Sequence, residues 1–299
     1  MSALRWSVIV LAAVCARPGL LRAQHAMVQA SEPSATAIDT GVTAFVARAR
    51  SATARYRDLR RAVADGYRPI GGDFPGMGQH WIQITTLFAD RFRVQDPPVL
   101  EYATIGGQAT LVGVAYALPL LAGEDAPAFP VPHAWHEHTR TVAEETDLFT
   151  QVMASHGSMG DARLAMLHAW IWLPNPEGMF RSDNWALPFV RAGLVAPISD
   201  PGPDAGRVVS LVSGGDAFYE RVFQSVAGAT ANASDSAVIH GAMDTARHAA
   251  ADWVTRHHDG APTGESLNQL RGIWTELWQR MDSALSAGVR DRLRSLEAK

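Results

Sequence analysis

The sequence predicts an α+β fold, with a long N-terminal helix and a small, mainly antiparallel sheet followed by an all-α C-terminal helical segment. Apolar residues recur at three- and four-residue steps from Asp39 to Gly66, which is typical of a helix. Short apolar runs broken by Gly, Pro and Asp then continue to Pro197, as expected of strands and loops. Helical periodicity returns from residue 207 onward.

The first 23 residues have the order of a cleavable secretory signal. Arg5 precedes an apolar run from Ser7 to Ala16, and we expect cleavage after Ala23. The run is shorter than the roughly 20 residues of a membrane-spanning helix, so a permanent anchor is disfavoured. A lipid anchor on Cys15 is the minor alternative, because bulky Val14 precedes it. We expect export to the periplasm or the medium, with no stable transmembrane segment after processing.

Composition predicts the remaining boundaries. Residues 24–38 are small and polar without periodicity, which indicates a disordered leader. An α+β domain follows at 39–197, a linker rich in Asp, Pro and Gly at 198–206, and a helical domain at 207–299.

Two rare residue types exclude several classes of chemistry. Cys15, the single cysteine, is lost with the signal, which excludes disulfides, an iron–sulfur cluster and covalent haem. Lys299 is the single lysine, so neither a Schiff-base lysine nor a P-loop nucleotide site is expected. The net charge of −4 becomes −7 without the three arginines of the signal, and such a charge does not favour nucleic acid.

Individual elements follow from local patterns. Ile105-Gly106-Gly107-Gln108 predicts a hairpin between strands at 99–103 and 111–118. A strand at 163–173 would place five side chains on one face, namely Leu164, Met166, His168, Trp170 and Trp172. Three C-terminal helices are expected at 217–226, 235–257 and 264–285.

Histidines provide the candidate metal ligands. His136 and His138 point to one face if their segment is extended, so their imidazoles would reach one ion; the alternative is a solvated turn. The glycines of Gly76-Met77-Gly78 allow a tight bend that directs His80 into a cavity. On an apolar face, the polar atoms of His168 need a partner, which a metal ion would provide. The alternative is an ordinary core histidine whose partner is another group of the protein.

Glu101 is a weaker candidate, as a carboxylate ligand or general base on the strand at 99–103. The alternative is a cross-strand partner on an exposed face.

Four segments together resemble an uncharacterised family of exported microbial proteins without an established activity. The resemblance covers about residues 45–190 and rests on Ala64-Asp65-Gly66-Tyr67, Gly76-Met77-Gly78-Gln79-His80, Pro98 to Tyr102 with Leu111 to Val114, and His168 to Phe180. In the family pattern an acidic residue lies next to the proline of the third segment, where this chain has Val99. The displacement weakens a role for Glu101.

We therefore predict a transition-metal site, zinc or copper, held by three or four of His80, His136, His138 and His168. Three ligands would leave a position open for water or substrate, whereas four would make the site structural. Catalytic residues are not assigned. The alternative is a binding module without a metal, which recognises an unidentified small molecule or an envelope protein.

Two further patterns are weaker. His240, Asp244 and His248 share a helical face at four-residue steps, a spacing that also occurs on solvated surfaces. Ser155-His156 offers a nucleophile for a hydrolase, but it lacks the Gly-x-Ser-x-Gly turn.

Overall fold

A computed structural model of the protein describes residues 35–87, 89, 92–120, 123–138, 163–228 and 232–297. The predicted signal at 1–23 and Ser155-His156 lie outside these residues, so both stay predictions.

The N-terminal helical region is divided at Asp58. Helix α1 (Ala35–Thr53) continues into a 3-10 turn (Ala54–Arg57), and α2 (Leu59–Ala64) follows. The predicted long N-terminal helix is confirmed in α1, but the helical run does not continue unbroken to Gly66, because Asp58 is extended and its carboxylate accepts a hydrogen bond from the Arg60 amide as the N-cap of α2. Helix α1 also begins inside the predicted leader, where the alanine-rich sequence favours helix.

A six-stranded sheet occupies the middle of the described chain, and the α+β prediction is confirmed. Its strands are β1 (Arg68–Phe74), β2 (Gly78–Ile82), β3 (Val99–Ile105), β4 (Gln108–Leu120), β5 (His136–His138) and β6 (Arg163–Ala169), and α3 (Ile84–Leu87) follows β2. Their order is β1-β2-β3-β4-β6-β5, and each neighbouring pair is antiparallel.

The hairpin between β3 and β4 is confirmed. Ile105 pairs with Gln108, and the two residues between them are Gly106 and Gly107, with φ of 57° and 77°. Positive φ at both central positions is what a two-residue turn of this hand requires, and glycine adopts it without steric cost.

The two faces of the sheet bury different side chains. One face packs against the N-terminal helical region through an aromatic core that includes Phe45, Tyr56, Tyr102 and Tyr116. The opposite face carries Val99, Ala115 and Ala117 near one end and Ala103, Val112 and Trp170 near the other. The candidate ligands lie on this second face.

Strand β6 ends earlier than predicted. Ile171 donates its amide hydrogen to the carbonyl of Ala169, so the chain leaves the regular ladder there. The Trp172 indole then donates to the Thr53 hydroxyl at 3.1 Å and lies beneath Arg50, on the α1 side. The prediction that Trp172 shares a face with His168 is therefore wrong.

The C-terminal part is helical, as predicted. Its elements are α4 (Leu187–Arg191), α5 (Pro203–Ser210), α6 (Asp216–Ala227), α7 (Ala233–Arg256), α8 (Gly264–Ala284) and α9 (Ala287–Glu297). Helix α5 begins at Pro203, inside the span predicted as a linker, because proline is accommodated in a first helical turn. The buried Trp253, Trp274 and Trp278 belong to the core of this part.

A partly buried ion pair joins the helical part to the sheet. The guanidinium of Arg191 on α4 donates to both carboxylate oxygens of Asp73 on β1, at 2.8 and 2.5 Å. Beside it, the ring of Phe74 packs against Phe218 of α6. Within the described residues, no helix is both long and apolar enough to cross a membrane.

Candidate metal centre

Strand register brings a carboxylate and two imidazoles together at the centre of the sheet. His80 of β2 pairs directly with Glu101 of β3, and Glu101 pairs with Gly113 of β4. His168 of β6 pairs with Ala115, two residues beyond Gly113. Since side chains alternate between faces, this register places His80, Glu101 and His168 on the same face.

The three side chains are in close contact. His168 Nδ1 shares a hydrogen bond with Glu101 Oε1, and His80 Nε2 lies 3.7 Å from the same oxygen. The centroids of the two imidazole rings are 5.8 Å apart. One potential ligand atom from each residue lies within 4.8 Å of the other two, so the cluster could hold a metal ion.

The cluster is almost completely buried. The exposed fractions of the side chains are 0% for Glu101, 2% for His168 and 13% for His80. Burial raises the pKa of Glu101, but the charge and hydrogen bond of His168, together with His80, outweigh burial and lower the pKa to about 2. Glu101 is therefore an ionised carboxylate at neutral pH.

Gly113 makes room for this carboxylate. A Cβ atom at position 113 would lie 2.2 Å from Glu101 Oε2, well inside van der Waals contact. A larger residue on β4 would therefore force Glu101 out of its present position.

Two buried polar atoms of the cluster lack a hydrogen-bond partner among the described residues, namely Glu101 Oε2 and His80 Nε2. Buried polar atoms are usually satisfied by protein, ordered water or an ion. A carboxylate oxygen and an imidazole nitrogen are both atoms that ligate metals, so their lack of hydrogen-bond partners is consistent with a cation in the cluster.

Apolar side chains surround the cluster. Phe74 packs edge-on against His80 with ring centroids 5.7 Å apart, and Phe218 of α6 packs against Phe74. Val99 and Ala115 lie on the same sheet face. Such surroundings strengthen electrostatic interactions between the cluster and a bound ion.

Only some of the predicted ligands belong to the cluster. His80 and His168 are brought together, whereas Glu101, which the sequence favoured less, completes the group with them. His136 lies on a strand, as the predicted ligand role requires. Its ring is nearly parallel to the ring of His168, with the two ring centroids 5.2 Å apart. His138 lies on the same strand, but its side chain is outside the described residues. A ligand role for either residue stays a prediction.

The C-terminal histidines make surface interactions. His240 pairs with Glu220 at 2.9 Å, and Asp244 pairs with Arg247. The Asp244 carbonyl also interacts with the His248 ring. Among the described residues, these side chains do not form a three-donor group.

A polar pocket of about 310 Å³ lies beside the N-terminal helical region. Arg55, Tyr56 and Asp65 line it and are already bonded to one another, with the Tyr56 hydroxyl donating to Asp65 at 3.0 Å. Its described lining residues include none of the predicted metal ligands.

Fold and site together define an α+β protein with a buried histidine–carboxylate cluster that could hold a metal ion. The chain matches no known protein-family model, no curated protein and no solved structure.

Proposed function

We propose that the protein binds one zinc ion through His80, Glu101 and His168. The observation that carries the proposal is the convergence of these three donors at a buried position. Two buried atoms of the cluster, Glu101 Oε2 and His80 Nε2, have no hydrogen-bond partner among the described residues, and this also supports the proposal.

The donor set suits zinc. Two imidazoles and one carboxylate form a nitrogen–oxygen set, which also suits divalent iron and divalent copper, whereas monovalent copper prefers sulfur. Two histidines and one glutamate also occur as the protein ligands of catalytic zinc sites. Three protein ligands would leave a coordination position for water or substrate, and a zinc ion there would supply Lewis acidity to polarise a carbonyl or to lower the pKa of bound water.

Metal analysis tests this proposal. Protein purified without an affinity tag is stripped with a chelator, loaded with zinc and desalted. We expect about one equivalent of zinc in the wild type and a large loss in His80→Ala, Glu101→Gln and His168→Ala. The matched control is His240→Ala, which removes an exposed imidazole from α7. Less than stoichiometric zinc in the wild type, unchanged by His168→Ala, would refute the proposal.

The hydrogen bond between Glu101 and His168 favours a second candidate function without a metal. A buried carboxylate that binds Nδ1 of an imidazole fixes its tautomer, as in the histidine–carboxylate pairs of general-base catalysis. Nitrogen NMR of the His168 ring separates the two functions when zinc is added to the metal-free protein. If zinc binds at Nδ1, the His168 resonances change. If the pair works without a metal, they stay unchanged.

We also propose that the protein works outside the cytoplasm. The order of charged, apolar and small residues in 1–23 supports export. Amino-terminal sequencing of protein from the periplasm or medium should begin at Gln24. Retention of Met1 in that fraction would contradict cleavage.

A further inference from the structure

His136 lies beside the candidate zinc ligands without belonging to the three-donor group. It sits on β5, where it pairs with Met166, two residues before His168 on β6. Its ring is tilted by 18° from the ring of His168, with centroids 5.2 Å apart. The His168 ring therefore has an almost parallel aromatic neighbour.

The orientation of the His168 ring decides where a bound ion lies, because an imidazole ligand keeps its metal close to the ring plane. His80 packs edge-on against this ring at 70°, and His136 packs against it nearly in parallel. Contacts of these two kinds oppose rotation of the ring about different axes. Aromatic rings at this spacing attract each other more strongly than the apolar area that they bury would account for.

We infer that His136 is a positioning residue, whose ring holds the plane of His168 so that Nδ1 faces the ion. This inference rests on the proposed zinc site. It assigns His136 to the surroundings of the ligands, in place of the ligand role that the sequence predicts. Residues that orient a metal ligand commonly change metal affinity by about 10- to 100-fold when they are replaced.

The ring and the nitrogen atoms of His136 can be separated by substitution. His136→Phe keeps a planar ring and removes both nitrogens, whereas His136→Ala removes both properties. His136→Leu restores apolar bulk without a planar ring, and it replaces the alanine variant if that variant does not fold. His240→Ala serves again as the control for loss of a histidine elsewhere.

Cobalt in place of zinc gives a visible spectrum that reports ligand geometry. We expect the wild type and His136→Phe to share the same cobalt absorption bands, with affinities within about threefold. His136→Ala or His136→Leu should bind at least about tenfold more weakly, with altered band intensities. Equal losses in the phenylalanine and alanine variants would show that zinc binding depends on a His136 nitrogen and not on its ring, and they would overturn the inference. Wild-type affinity in every His136 variant would also overturn it. If the wild type itself binds neither cobalt nor zinc, the proposed zinc site is refuted, and the inference about His136 is refuted with it.

Discussion

Gly113 determines whether the Glu101 carboxylate fits at the centre of the sheet. Since a Cβ atom at position 113 would lie 2.2 Å from Glu101 Oε2, Gly113→Ala should displace the carboxylate. We expect loss of zinc binding and a decrease of about 1–3 kcal/mol in the free energy of unfolding. Zinc titration and chemical denaturation measure the two effects.

The control for this prediction is Gly241→Ala on α7, where an added Cβ meets nothing within 4 Å. Alanine favours the helix interior by up to about 1 kcal/mol over glycine, so this variant should be at least as stable as the wild type. Normal zinc binding by a folded Gly113→Ala protein would contradict the proposed position of Glu101.

Glu101 should also make stability depend on pH in the metal-free protein. Its pKa is lowered from 4.5 to about 2, so the folded state binds this proton less readily than the unfolded state. The stabilisation is complete above the ordinary pKa and is lost as the pH falls toward the folded value. We therefore expect wild-type stability to decrease more steeply than that of Glu101→Gln below about pH 5. Denaturation with chelator present, at several pH values, measures the difference, and parallel curves would contradict the prediction.

At the level of single elements, the start of α7 is fixed by a reciprocal pair of hydrogen bonds. The Asn232 side chain accepts from the Asp235 amide, and the Asp235 carboxylate accepts from the Asn232 amide. Asn232→Ala should therefore reduce the free energy of unfolding by about 1 kcal/mol. Thermal unfolding measures the loss. Ser234→Ala, at an exposed site in the same turn, should stay within about 0.5 kcal/mol of the wild type.

Individual strands were predictable from sequence, but the pairing that assembles the site was not. The glycine turn predicted the β3–β4 hairpin because its requirement for positive φ is local. Glu101 and His168 are 67 residues apart and meet across β4, and local periodicity does not report such a pairing. The sequence therefore identified His80 and His168 as candidates and undervalued Glu101. The sequence signal for Glu101 is Gly113, whose missing side chain leaves space for the carboxylate on the neighbouring strand.

At the scale of the whole molecule, the pair of Arg191 and Asp73 connects the sheet to the helical part. Its partners differ in exposure, since 1% of the Arg191 side chain is exposed against 31% of Asp73. Asp73→Ala would leave a buried charge without its partner and should cost about 3–5 kcal/mol. Arg191→Leu leaves a carboxylate that water can reach, so a smaller loss is expected. Denaturation of both variants measures the difference, and equal losses would contradict this interpretation.

The division into an α+β part and a helical part was predictable, but its boundary was less so. Phe189 and Leu194 precede the predicted linker, and yet they are buried in the core of the helical part. Composition finds where Gly and Pro accumulate, whereas packing decides which core an apolar residue joins. The predicted domain limits therefore stay predictions.

The position of His168 on β6 also has a consequence for the order of events during folding. Hydrogen bonds between β6 and β4 bring His168 to Glu101, whereas His80 and Glu101 already meet through the earlier strands β2 and β3. A chain that lacks the docked β6 thus offers two of the three donors. Tight binding of an ion would therefore require that β6 has paired with β4. An ion held behind these buried side chains should then exchange slowly. If export delivers the chain unfolded, the metals present at its destination would decide which one becomes enclosed.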